Sequence, residues 1–175
     1  MEEGKTPVAR VTVLAGIPGA GKSHIADVLR ERGADVLSTD DFWVDTDGYN
    51  FDPKRITEAH GWNLKRFIFN LRGSDRMRDS GVIHEPWLVV DNTNTTIAEI
   101  APYVAIAQAY QAEVKIVAVM CPWEVAAKRQ THGVPVTKVY QMSVRLEETL
   151  RSFPSWWPLE VYDNSPGNSA LNIGE

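Results

Sequence analysis

Residues 13–29, VLAGIPGAGKSHIADVL, place a glycine-rich turn between a short β-branched stretch and a run with apolar residues at helical spacing. Gly16, Gly21, Lys22 and Ser23 match G-x-x-x-x-G-K-[ST] in the strand, loop and helix order that the pattern requires. Gly16, Gly19 and Gly21 let the chain turn with its amides inward, and Pro18 stiffens the turn. Those amides, with Ala20, Lys22, Ser23 and His24 around the helix start, make a site for phosphate oxygens. Lys22 is expected to bridge the β and γ phosphates, and the Ser23 hydroxyl to hold Mg2+. The ligand expected is a nucleoside triphosphate, ATP in the first place.

A strand that feeds a helix in this way needs a parallel neighbour, and the rest of the chain supplies candidates. ADVLST (34–39) reads as the next strand. Asp52 and Pro53 open a long helix over DPKRITEAHGWNLKRFIFNL (52–71) as N-cap and first helical residue. WLVVD (87–91) reads as a buried strand and TTIAEIAPYVAIAQAY (95–110) as a helix entered through Thr95 or Thr96, with Pro102 near its start. EVKIVAVM (113–120) is a strand, PWEVAAKRQ (122–130) a short helix, and VTKVYQMSVRLEETLR (136–151) a helix after the turn HGVP. Residues 72–86 read as an unusually long loop, and FPSWWPLEV (153–161) as a cap packed on the sheet. The fold expected is α/β, a P-loop NTPase with a parallel sheet of about four to five strands, helices on both faces and a short helical lid. Strand ends, and the loops after them, then share one edge.

The 175 residues, 43% of them hydrophobic, suit one domain, expected over 1–162, with a polar, flexible tail over 163–175. The acidic N-terminus has no signal-peptide pattern and no run is long and apolar enough for a membrane span, so a cytoplasmic protein without membrane partners is expected. Cys121, the lone cysteine, reads as a small apolar filler. A net charge of -5 argues against nonspecific coating of nucleic acid. Charge is nevertheless segregated: residues 35–52 hold six Asp and no Lys or Arg, and residues 54–78 hold seven Lys or Arg against two acids.

The second strand ends in STDDFW and the third in VVDNTN, which brings Asp40, Asp41 and Asp91 to the edge that carries the phosphate loop. Asp91 is expected on the Mg2+ side, and Asp40 to accept the proton of a hydroxyl that attacks the γ-phosphate. Asp40 could instead cap the helix at DFW, and for Asp41 capping is the preferred role. Asn92 and Asn94 suit either the substrate side or a turn. In AAKRQTHG, Arg129 is the candidate to neutralise charge on the moving phosphoryl group, flanked by Lys128 and His132 in a lid that would exclude water. Arg145 either reaches the same phosphates or pairs with Glu147 or Glu148.

With these motifs in order, the chain resembles the P-loop kinases of the polynucleotide 5′-hydroxyl kinase branch, which includes the kinase-like domains of Nedd4-binding-protein relatives. The matching stretches are GIPGAGKS, STDDF, YNFDPKRITEAHGWNLKR, VVDNTNTTIAEIAPYVAIAQAY and AAKRQTHGVPVTKVYQMSVRLEE, roughly residues 11–148. The resemblance implies a general base at Asp40, phosphate-loop residues at Lys22 and Ser23, an Mg2+-side carboxylate at Asp91 and a lid arginine at Arg129. Two positions depart from it: Trp43 stands where such kinases carry an acceptor-phosphate arginine, and His132 replaces a second lid arginine. Arg72, Arg76 and Arg78 of the 72–86 segment are then candidates for the missing acceptor contacts.

The main reading is transfer of the γ-phosphate of ATP, with Mg2+, to the 5′-hydroxyl of a polynucleotide, with Trp43, Phe51 or Trp62 stacking an end base. A kinase of a small hydroxylated metabolite or nucleoside suits the acidic composition and the arginine missing at position 43. An ATP-binding interaction module with little turnover ranks last, because Lys22, Ser23 and Asp40 are all intact.

Overall fold

The structure is a computed structural model that describes residues 9–79 and 85–168. The chain opens with β1 (Arg10–Ala15), the glycine-rich loop and α1 (Lys22–Glu31), then β2 (Asp35–Leu37). A 3-10 turn at Thr39–Trp43 leads into a two-stranded antiparallel hairpin of β3 (Val44–Asp45) and β4 (Gly48–Tyr49). A second 3-10 turn at Pro53–Arg55, capped by Asp52, continues into α2 (Ile56–Asp79). After it come β5 (Trp87–Asp91), α3 (Ile97–Ala109), β6 (Glu113–Met120), α4 (Trp123–Arg129), α5 (Val136–Arg151) and β7 (Leu159–Asp163).

Five of these strands form one parallel sheet in the order β2-β5-β1-β6-β7. Its centre is buried on both faces: Leu88, Val89 and Val90 of β5 and Val13 and Leu14 of β1 have no exposed surface. Such a strand reads as an apolar run without alternation, as WLVVD does. The chain leaves β1 toward the β2 edge and then works back across the sheet, so right-handed crossovers put α1 on one face and α2 and α3 on the other. Thr96 starts α3 with a reciprocal capping box, its hydroxyl accepting from the Glu99 amide while the Glu99 carboxylate accepts from the Thr96 amide. Ligands in such sheets gather at the carboxyl ends of the strands where the strand order reverses, here beside β1. Among the described residues no helix is long and apolar enough to cross a membrane.

Three expectations change. The 72–86 segment is not one loop, since α2 runs on to Asp79; Arg72, Arg76 and Met77 are good helix formers, and one Gly73 costs about 1 kcal/mol, too little to stop a helix anchored by buried Phe67 and Leu71. The side chains of Arg76 and Arg78 lie outside the described residues. The stretch after Trp157 is not a cap but a fifth strand: β7 pairs with β6 from Leu159 against Ile116 to Asp163 against Met120. It is an edge strand with Val161 half exposed, which is why its apolar signal is weak. The Asp-rich stretch between β2 and α2, to which the sequence assigns no element, is folded as well. Asp45 accepts from the Asp47 amide and from the Asn50 side chain, closing the hairpin around its Thr46-Asp47 turn.

Candidate active site

The loop after β1 is tied down from below and from the side. Gly16 donates its amide to the Thr93 carbonyl at 2.8 Å, and Ala20 to the Ile17 carbonyl at 3.1 Å, so those two amides serve the loop's own shape. Gly19 and Gly21 have φ of 79° and 103°, the left-handed region that disfavours any side chain. A Cβ at Gly19 would collide with the Ala126 carbonyl of α4, and one at Gly21 with the side chain of Asn164. The glycines therefore serve packing as well as phosphate access.

Lys22, the first residue of α1, is buried, and its ammonium donates to the Ile17 carbonyl at 3.0 Å. Burial lowers its pKa, while Asp91 and Asp40 pull in the opposite direction. Asp91, at the end of β5, is the complement: burial raises its pKa, and Lys22 and a hydrogen bond from the Ser23 hydroxyl hold it down. One carboxylate, one hydroxyl and space for phosphate oxygens make the hard, partly open oxygen set that Mg2+ takes. No cluster of three or more acidic, His or Cys ligands exists among the described residues, so a metal here would rely on the nucleotide for the rest of its shell.

Asp40 faces this group from the 3-10 turn. Ser38, not Asp40, caps that turn, its hydroxyl accepting from the Asp40 amide at 3.1 Å, so the Asp40 carboxylate is free of capping. Asp41 does not cap either; it pairs with Arg66 at 2.8 Å. The turn is hung from β5 by Asn92, whose side-chain oxygen accepts from the amide and the hydroxyl of Thr39 at 2.8 and 2.7 Å, while its nitrogen donates to Tyr103. Asn92 lines the cavity yet is spent on this scaffold. Asn94 is buried, sits at a φ of 43° and donates to the Leu14 carbonyl, which places it in the turn rather than at the substrate.

One cavity of about 600 Å³ joins these parts. Pro18, Gly19, Gly21, Lys22, Ser23 and His24 line it from the glycine loop and the start of α1, Asp91, Asn92 and Thr93 from the end of β5, and Asp40, Tyr49 and Phe51 form a wall from the 3-10 turn, the hairpin and the segment after it. Arg129 to His132 and Val134 cover it. That cover is held in shape by Gln130, which donates to the Val134 carbonyl and accepts from the Val134 amide. Arg129 lines the cavity, and its guanidinium donates to the Asn164 carbonyl at 3.3 Å. Lys128 and Arg145 do not line the cavity.

Trp43 is the residue whose expected place is overturned. It is only 3% exposed, packs edge-on against Phe42 and Phe51, and lines no part of the cavity, so it cannot stack an acceptor base. Phe51, half exposed, is the ring that reaches the wall, and Trp62 instead packs against Phe42 under the Arg66 guanidinium. Tyr49, Thr93, Gln130 and Asn164 were not legible as site residues. Tyr49 depends on the hairpin, and Asn164 on a strand whose pattern is too weak to place it.

This combination of a parallel sheet, a glycine loop around a buried lysine and a carboxylate on the neighbouring strand defines a P-loop nucleotide-binding protein of the kinase-like kind. A family model described as an AAA domain matches residues 11–132, and the chain belongs to that family. NEDD4-binding protein 2 of Homo sapiens is 32% identical in an alignment of 138 residues, and the match covers 75% of this chain and 7% of that protein. Among solved structures, one of a Pnkp1/Rnl/Hen1 complex superposes with a TM-score of 0.55 at 20% identity, covering 78% of this chain and 44% of the other. A gluconokinase from Sinorhizobium meliloti 1021 does so at 0.51 and 14%, covering 90% of this chain and 83% of the other. These two likenesses bear on the fold.

Proposed function

We propose that the chain is an ATP- and Mg2+-dependent phosphotransferase, and that its acceptor is the 5′-hydroxyl of a polynucleotide. The observation that carries the reading is a carboxylate, Asp40, free of capping and facing the phosphate loop across one cavity. In the reaction, the loop amides and Lys22 hold the phosphates, and Ser23 and Asp91 would be the protein's share of an Mg2+ shell. Bound Mg2+ would neutralise charge on the β and γ oxygens. The acceptor hydroxyl gives its proton to Asp40 as its oxygen bonds to the γ-phosphorus; the bond from that phosphorus to the bridging oxygen breaks, and ADP keeps the electron pair. Arg129, released from the Asn164 carbonyl, would neutralise charge on the transferring group.

The match of STDDF, DNTN and the HGV turn to polynucleotide kinase motifs supports this acceptor, as does the relation to NEDD4-binding protein 2 over most of the chain. A kinase of a small hydroxylated metabolite is the second reading. It is favoured by the exposed Asp45 and Asp47 of the hairpin that carries Tyr49, which repel a polyanion. The test is transfer of label from γ-labelled ATP to 5′-hydroxyl DNA and RNA oligonucleotides, single- and double-stranded, beside nucleosides and small alcohols, with Lys22→Ala as blank. Label on an oligonucleotide 5′ end supports the first reading; label on small molecules alone selects the second.

A further inference from the structure

Asp40 stands on an exposed turn with a side chain 55% exposed, and a carboxylate there has several rotamers open to it. One neighbour meets it, through a long hydrogen bond. The Tyr49 hydroxyl donates to Asp40 Oδ1 at 3.4 Å, and no other side chain among the described residues hydrogen-bonds that carboxylate. The other oxygen, Oδ2, lies 4.0 Å from His132 Nε2, beyond hydrogen-bond reach, and both residues line the cavity.

Tyr49 is itself fixed. It pairs with Val44 across the hairpin, the Asn50 amide beside it donates to the Trp43 carbonyl at 2.8 Å, and Asp45 gathers the turn through Asp47 and Asn50. Its ring lies 5.9 Å from that of His132, so hairpin and cover meet over the carboxylate. Burial and the Asp40 charge raise the Tyr49 pKa, which keeps the phenol protonated and a donor at neutral pH.

From this geometry we infer that Tyr49 is a positioning residue for phosphoryl transfer: it engages Asp40 Oδ1 and thereby presents Oδ2 to the acceptor hydroxyl. The inference rests on the reading of Asp40 as the proton acceptor. Because Tyr49 donates to Oδ1 both before and after Oδ2 takes the proton, the arrangement needs no rearrangement during the step. A fixed carboxylate raises the fraction of bound acceptors in attacking geometry, and this acts on kcat rather than on binding.

The test is a double-mutant cycle of Tyr49→Phe and Asp40→Asn, read as steady-state transfer from ATP to a single-stranded 5′-hydroxyl oligonucleotide. Tyr49→Phe keeps the ring and the hairpin. It is expected to lower kcat about tenfold, the scale of a lost hydrogen bond to a charged group, with KM for ATP and oligonucleotide and the Tm nearly unchanged. In the Asp40→Asn background the same change is expected to do nothing further. Equal losses in both backgrounds, or a raised oligonucleotide KM at constant kcat, would overturn the inference while leaving the kinase reading in place. A wild-type protein that transfers label to neither oligonucleotides nor small alcohols would overturn both; where only a small molecule is labelled, the same cycle is read on that acceptor.

Discussion

At the scale of single residues, Lys22 and Asp91 show what the site costs the fold. Each is held in a setting that opposes its charge, and each is the other's principal relief. For Asp91 the sign is fixed by linkage: a carboxyl with a pKa raised in the native state binds protons there that the unfolded chain has lost, so stability falls as pH rises through the native pKa. Asp91→Asn mimics the protonated form. It is expected to raise the Tm of the ligand-free protein at neutral pH, with the gain vanishing below the ordinary carboxylate range, and to abolish Mg2+-dependent transfer. Thermal melts of both proteins between acid and neutral pH, beside a transfer assay, check this; an Asn variant melting lower than wild type at pH 7 would contradict the placement of the charge. The Asp40 carboxylate is exposed. Asp40→Asn is expected to cut transfer roughly 100-fold or more while ATP affinity, followed by calorimetry, stays the same.

At the scale of elements, the contact between the phosphate loop and α4 is where shape decides. Gly19 is both in the left-handed region and against the Ala126 carbonyl, so Gly19→Ala strains the backbone and pushes α4 away from the loop. A loss of about 1–3 kcal/mol in unfolding free energy is expected from the strain, measured by urea titration, with nucleotide affinity falling at least about tenfold. That loop could be read from residues alone because its conformation is dictated locally, by glycine and proline spacing. So could β5, β6, α3 and α5, where apolar runs or helical spacing coincide with burial. The hairpin could not. Its strands are two residues each and exposed, and what holds it is Asp45 acting as a turn acceptor, a role that an Asp-rich stretch does not announce. Trp43 misleads for a related reason: whether an indole faces a cavity or a core depends on Phe42, Phe51 and the turn that carries them, and no periodicity encodes that.

At the scale of the whole molecule, the cavity is assembled from both ends of the chain. Asn164, the residue after β7, donates its side-chain amide to the Ala20 carbonyl at 2.7 Å across 144 residues of sequence, and its own carbonyl accepts from Arg129. The edge strand thus does more than extend the sheet: its pairing with β6 sets the height at which Asn164 meets the phosphate loop and the start of the cover. Composition alone assigns 163–175 to a flexible tail, because Asn, Ser, Pro and Gly carry no burial signal, and Asn164, the residue among its described ones that reaches the site, does so through a long-range hydrogen bond. Asn164→Ala removes the bond to Ala20 but keeps the backbone carbonyl that holds Arg129. One net hydrogen bond of about 0.5–1.5 kcal/mol corresponds to a factor of roughly two to ten. The expected result is therefore a KM for ATP raised within that range, with kcat little changed, because the loop loses a brace on its ground-state shape and Arg129 keeps its resting partner. Steady-state kinetics over ATP concentration check it. A fall in kcat at constant KM would mean instead that Asn164 acts on the transferring phosphate through Arg129, and would move the C-terminal strand from the nucleotide side of the site to its chemistry.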